Sequence, residues 1–253
     1  MRTSIIYAAV AVSLAALAVA SPAMAGKFQL ALPIAINANH AHQSIDQGQK
    51  HINGGANPLQ IGADVAYDTG WKKSSQSITQ RQSGHINVFP WSAPGQVELA
   101  GNIEAFTWGG NKQSITQKQH AKDPHAKGTV QFALGLNVVL FGDDNKQGIN
   151  QSQNYSSKYG SQGTPQVQVA GNVVLGGDHN DQSITQKQNE SAHYTNGTDE
   201  TQVAVNAVVD GDHNKQSIDQ SQSSNSDHTN DTQIAANVVV NGNGNNQSVT
   251  QKQ

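Results

Sequence analysis

The chain has no cysteine. Disulfides, thiolate metal sites and iron–sulfur clusters are therefore excluded. Aromatic residues are 5% and hydrophobic residues 35% of 253 positions, too little for a large globular core. Charged residues are 13%, too few for a disordered polyelectrolyte, and a net charge of -3 gives no basic field for nucleic acid. Long apolar runs are missing except at the N-terminus, from Ile5 to Ala20. There Arg2 precedes the run and Ala23-Met24-Ala25 follows it, which reads as a secretory signal over 1–25 with the mature chain starting at Gly26. The expected location is extracellular or at the cell surface.

The composition is rich instead in Gln, Asn, Ser, Thr and Gly. Such residues can order when uncharged amides stack in register and hydrogen-bond along a ladder. The sequence supplies the register. The stretch Gln182-Ser183-Ile184-Thr185-Gln186-Lys187-Gln188 recurs in variant form from Gln43, Gln76, Gln113, Gln147, Gln216 and Gln247, at spacings of 33, 37, 34, 35, 34 and 31 residues. A unit repeated at this period indicates a repeat architecture.

Each copy follows a second segment of about eight residues rich in β-branched side chains, for example Gln168 to Leu175, Gln202 to Val209 and Gln233 to Val240. Gly-Asp-His-Asn or a relative lies between the two, a composition suited to a tight reversal. The predicted unit is strand A, turn, strand B, joined to the next by a polar linker. The expected fold is an all-β solenoid of seven stacked strand-turn-strand units with parallel in-register ladders, over about 29–49, 60–82, 98–119, 131–153, 168–188, 202–222 and 233–253.

Side chains alternate along a strand. Strand B therefore puts Ser183, Thr185 and Lys187 on a solvent face and Gln182, Ile184, Gln186 and Gln188 on the other. Stacking predicts amide ladders through Gln43, Gln76, Gln113, Gln147, Gln182, Gln216 and Gln247, and through Gln47, Gln80, Gln117, Gln151, Gln186, Gln220 and Gln251. A third follows two residues on. An aliphatic ladder runs through Ile45, Ile78, Ile115, Ile149, Ile184, Ile218 and Val249. In strand A the apolar set (Val169, Val173, Leu175; Ile234, Val238, Val240) is expected to meet strand B across a dry core, leaving Gln168, Ala170, Asn172 and Val174 on the other face. No polar capping unit is recognisable, so both ends are expected to show bare strand edges.

At Gly242-Asn243-Gly244-Asn245, continuing to Gln251, the pattern G-x-G-N-x-x-x-x-x-Q resembles the curlin repeat of curli functional-amyloid subunits from bacterial cell surfaces. Asn145, Asn180, Asn214 and Asn245 take the turn position of that pattern. The longer repeat and variable linkers are also similar to Fap-type subunits. The resemblance implies a secreted, self-assembling subunit of biofilm fibres that polymerises head to tail, with a related nucleator, an outer-membrane export pore and no catalytic residues.

No nucleophile–base pair, gathered carboxylates or phosphate loop recurs, and no enzyme activity, cofactor or metal is expected. Ten histidines fall mostly in turns and linkers, where solvation explains them. His179 and His213 would stack, but Asp144 and Gly244 take the same position in other copies. Asp143, Asp178 and Asp212 also stack at the turn, as a cation site or, preferably, as gatekeepers whose mutual repulsion slows assembly. Trp71, Trp108 and Val88-Phe89-Pro90-Trp91 are expected to cover the sheet edge locally. Two alternatives stand beside the fibre: a monomeric solenoid adhesin, and an ice-binding solenoid using Ser77/Thr79, Ser114/Thr116, Ser183/Thr185 and Ser248/Thr250.

Overall fold

A computed structural model describes residues 28–36, 42–50, 59–67, 75–85, 95–107, 110–123, 130–157, 165–192, 198–224 and 229–253. The expected signal segment, Trp71, Trp108 and Val88-Phe89-Pro90-Trp91 lie outside them. Among the described residues the regular structure is entirely β-strand. Every pairing is parallel, and the strands fall alternately into two sheets.

Sheet A holds β1 (Phe28–Ala31), β2 (Ile34–Ile36), β4 (Leu59–Tyr67), β6 (Gly95–Thr107), β8 (Val130–Gly142), β10 (Gln166–Leu175), β12 (Thr198–Val209) and β14 (Thr229–Val240). Sheet B holds β3 (His42–Lys50), β5 (Ser75–His85), β7 (Lys112–Asp123), β9 (Lys146–Ser157), β11 (Asp181–Ala192), β13 (Lys215–Ser224) and β15 (Asn246–Lys252). Each sheet runs in chain order, the odd strands from β3 on in one sheet and the even strands, with β1, in the other. The chain is thus a β-solenoid with a strand from each sheet in every rung. β1 and β2 together make the first sheet A strand, both paired to β4. Pro33 divides them because it has no N–H to give the ladder, though its carbonyl still accepts from Val65 at 3.2 Å.

Register follows the sequence repeat. Gln182 sits on Gln147 and Gln216, Ile184 on Ile149 and Ile218. Asn172 sits on Asn137 and Asn206. The spacing varies between copies, but the register does not.

The turns differ in detail from expectation. Positive φ falls at Phe141, next to last in β8, and at Gly176, Asp210 and Asn241, just after β10, β12 and β14, and again at Asp144, His179, His213 and Gly244. The intervening glycines serve close approach as well. A Cβ on Gly177, Gly211 or Gly242 would collide with the carbonyl oxygen of the corresponding glycine one rung earlier.

Strand A faces the opposite way from the sequence expectation. Gln168, Ala170, Asn172 and Val174 are buried, while Val169 and Val173 are half-buried on the outside and Leu175 is exposed. Two physical reasons account for this. The isoleucine column of sheet B needs small partners, and it packs on Ala100, Ala170 and Ala204. In the same column a Cβ on Gly62 or Gly135 would lie 3.0 Å from an isoleucine methyl. The buried amides of strand A also find partners only inside. The interior is therefore hydrogen-bonded rather than dry, with Val139, Val174 and Val208 as a second apolar cluster beside the turn.

Candidate functional site

The feature that organises the molecule is its set of amide ladders. In the first column, Gln76, Gln113, Gln147, Gln182, Gln216 and Gln247 each donate from Nε2 to the Oε1 of the preceding rung at 2.8–3.0 Å, starting at Gln43. The second column, Gln47 to Gln251, repeats this at 2.8–2.9 Å. The third continues through Gln119, Gln153, Gln188 and Gln222. The second N–H of these amides crosses to sheet A: Gln80 reaches Leu99 O at 3.0 Å, Gln117 Leu134 O at 3.0 Å and Gln186 Val203 O at 3.1 Å. A buried donor without a partner costs about 1–3 kcal/mol. Here a Gln in mid-column has both donors and its acceptor engaged, so burial carries little of that penalty.

Sheet A adds ladders that the sequence reading missed. Asn102, Asn137, Asn172 and Asn206 each donate from Nδ2 to the Oδ1 of the following rung at 2.9–3.0 Å, ending at Asn237. Their other donor reaches sheet B, as Asn172 does to Ser183 O at 3.0 Å. Gln168, Gln202 and Gln233 form a further run. The signal was present, since Gln and Asn recur in strand A at fixed positions as they do in strand B.

At the turn, Asn145, Asn180 and Asn214 are buried. The backbone N–H of Asn145 donates to Asn180 Oδ1, that of Asn180 to Asn214 Oδ1 and that of Asn214 to Asn245 Oδ1. The exposed Asp143 and Asp178 and the half-buried Asp212 accept the N–H of residues 178, 212 and 243, respectively, on the next rung, at 2.6–2.9 Å. These carboxylates therefore tie successive turns together as well as carrying charge. His179 and His213 stack with ring centroids 5.4 Å apart. No group of three or more His, Cys, Asp or Glu suited to a metal occurs among the described residues.

Three buried acids occupy positions in columns that elsewhere hold amides, and the half-buried Asp231 stands on one of them, Glu200. Asp64 stands below Asn102, Glu98 above Gln60, and Glu200 above Gln166 in a column that includes Gln96 and Gln131. All three are buried. Burial pushes Asp64 up to about 7. It pushes Glu98 up to about 8, with the Lys118 backbone offsetting part of the rise. Glu200 is also raised to about 8, by burial first and then by Asp231 and Glu190. The acceptors Asn102 Oδ1 and Gln60 Oε1, next to Asp64 and Glu98, have no hydrogen-bond partner. A protonated carboxyl supplies the missing donor, so each acid behaves as an amide only while neutral.

The two ends are not equivalent. β15 is exposed along its length, and Val249 is 46% exposed where Ile218, one rung inside, is 2%. At the other end Ile45 is 5% exposed, with Gln47 and Gln49 also buried. The ends differ in side-chain exposure, but β3 pairs only with β5, and β1 and β2 only with β4, so among the described strands each end keeps an unpaired edge. At the open end Gln247 and Gln251 have their donors directed inward to Gln216 and Gln220, so each Oε1 remains as a laddering acceptor at the edge. No known protein family, curated protein or solved structure matches the chain.

Proposed function

We propose that this chain is a secreted structural subunit that assembles end to end into extracellular amyloid-type fibres, serving biofilm matrix and surface adhesion. The observation that carries the reading is the open β14–β15 edge. It presents unpaired strand, an exposed Ile234–Val238–Val240 row and the Gln247 and Gln251 acceptors at ladder register. The first rung of a further copy placed there would extend the Gln247, Val249 and Gln251 columns with its Gln43, Ile45 and Gln47, and bare strand edges template such pairing. The partner is another copy, added head to tail. A nucleating relative and an export pore in the outer membrane belong to the same reading.

Fibre diffraction and electron microscopy on the purified chain in dilute buffer test this. Fibrils with a meridional reflection near about 4.7–4.8 Å are expected. A stable β-rich monomer that never elongates would overturn the reading and favour the monomeric adhesin. The ice-binding alternative has its Ser and Thr columns in register on the outer face of sheet B. Gly148, Asn150 and Asp219 interrupt those columns, and the exposed Arg81–Asp46 pair at 3.1 Å stands on the same face.

A further inference from the structure

The two outer faces of the solenoid differ in kind. Outside sheet B stand Ser, Thr, Lys and Asp, an ordinary solvated surface. Outside sheet A, Leu99, Leu134, Val169, Val203 and Ile234 form one column across five strands, β6 to β14. Neighbouring columns pass through Val173 and Leu175 of β10. From the row of Val97 to the row of Ala105, and in the equivalent rows of the other four strands, no charged side chain faces outward. Only Thr201, Thr232 and two glycines interrupt the apolar residues. Leu136 is 39% and Leu175 37% exposed in the interior of this sheet. At the first end Leu59 and Ile61 of β4 are buried, so the open part of the face begins at β6.

We infer that the outer face of sheet A is a contact surface for the same face of a second copy of this chain, packed sheet against sheet. Its size fits. Five strands at about 4.8 Å and nine residues at about 3.3 Å make roughly 700 Å² per copy, or about 1,400 Å² for a pair. Stable interfaces bury about 1,200–2,000 Å² in total, whereas contiguous apolar patches left open on monomers are usually smaller than this face. Its character fits as well. A charge-free surface has no electrostatic penalty against itself, and a surface repeating at the rung spacing matches its own copy in many rows at once.

The inference stands apart from end-to-end growth, because it concerns a side of the stack and not its ends.

The absence of cysteine makes the test direct. β10 is the middle strand of the five, so a two-fold pairing with full overlap lays β10 on β10. Full-length Val169→Cys and Val173→Cys chains, alone and mixed, would be treated with a short bismaleimide beside Thr185→Cys on the outer face of sheet B. Cross-linked dimer forming at least tenfold faster from the β10 thiols than from Thr185→Cys is the expected result. End-to-end stacking leaves both kinds of thiol about 34 Å from their copies in the next molecule, so it yields neither product. Equal rates, or no dimer from any variant, would overturn the inference. So would β10 thiols shielded from alkylation only when phosphatidylcholine vesicles are added, which would make lipid the occupant. Shielding in the monomer that disappears when 1–25 are removed would assign the face to the N-terminal apolar run and overturn it equally. Fibres that grow without the cross-link would leave end-to-end assembly standing and remove this inference alone.

Discussion

Replacing Glu98 by Gln should abolish part of a pH dependence built into the core. Glu98 is fully buried, and its carboxyl is held at about 8 against an ordinary 4.5. The sign follows from proton counting. Below about 4.5 the acid is protonated in both the folded and the unfolded chain and has no effect. As pH rises towards 8, the unfolded chain releases the proton and the fold retains it, so stability falls. Above about 8 the folded acid also ionises and the loss levels off. At 1.36 kcal/mol per pH unit the full loss approaches about 5 kcal/mol, and structural relaxation reduces it. Gln carries the same shape with a permanent donor. It can give one N–H to Gln60 Oε1 and the other to the Lys118 carbonyl, as Gln168 does to Lys187 O at 3.1 Å. Glu98→Gln should therefore match the parent near pH 4 and exceed it by at least ~2 kcal/mol at pH 8. Urea unfolding followed by circular dichroism at intervals from pH 4 to 9 measures this, with Asp64→Asn as a second, independent case. Parallel curves for parent and variant, or a parent midpoint that rises between pH 5 and 8, would refute the reasoning.

Three further outcomes follow from the ladders and turns. Gln186→Leu removes the acceptor for Gln220 and the donor to Gln151. It also removes the donor to Val203 O, and the groups left without that amide should cost about 2–5 kcal/mol in all, read as a lowered urea midpoint. Gly211→Ala puts a methyl group into the carbonyl of Gly177. It should open the turn locally, with amide exchange accelerated at Asp212 to Asn214 and little changed in β7. Asp178→Asn with Asp212→Asn keeps the Oδ1 acceptors that bind the next turn but removes two stacked charges, so the fibrillation lag should shorten; an unchanged lag would sink the gatekeeper role.

Much of the architecture was legible because the repeat is the fold. A Gln recurring three times within each seven-residue copy has little reason to persist on a solvated strand, and its period gave rung number, strand direction and register together. The orientation of strand A was not legible from hydrophobicity. Val169 and Val173 read as core, yet Asn172 and Gln168 needed the interior more, because an amide inside a ladder loses nothing while an isoleucine column facing more valine has no room. Repetition was the better guide to burial in both strands. Asp64, Glu98 and Glu200 were overlooked because an acid in an amide column reads as an ordinary substitution until the column is known to be buried.

The spacing between copies ranges from 31 to 37 residues, yet Lys112, Lys146, Asp181, Lys215 and Asn246 stand directly on one another. The amide columns count rungs and are indifferent to how much chain lies between them. Most of the variation is discharged at one corner of the cross-section, where sheet B hands over to sheet A, while the opposite corner takes up only one or two extra residues, between Tyr67 and Ser75 and between Ala105 and Lys112. The molecule is in this sense a spine with a permissive margin. A peptide spliced into that margin would be displayed at one fixed edge, and spliced into several linkers it would be displayed at rung intervals, without the core registering the change.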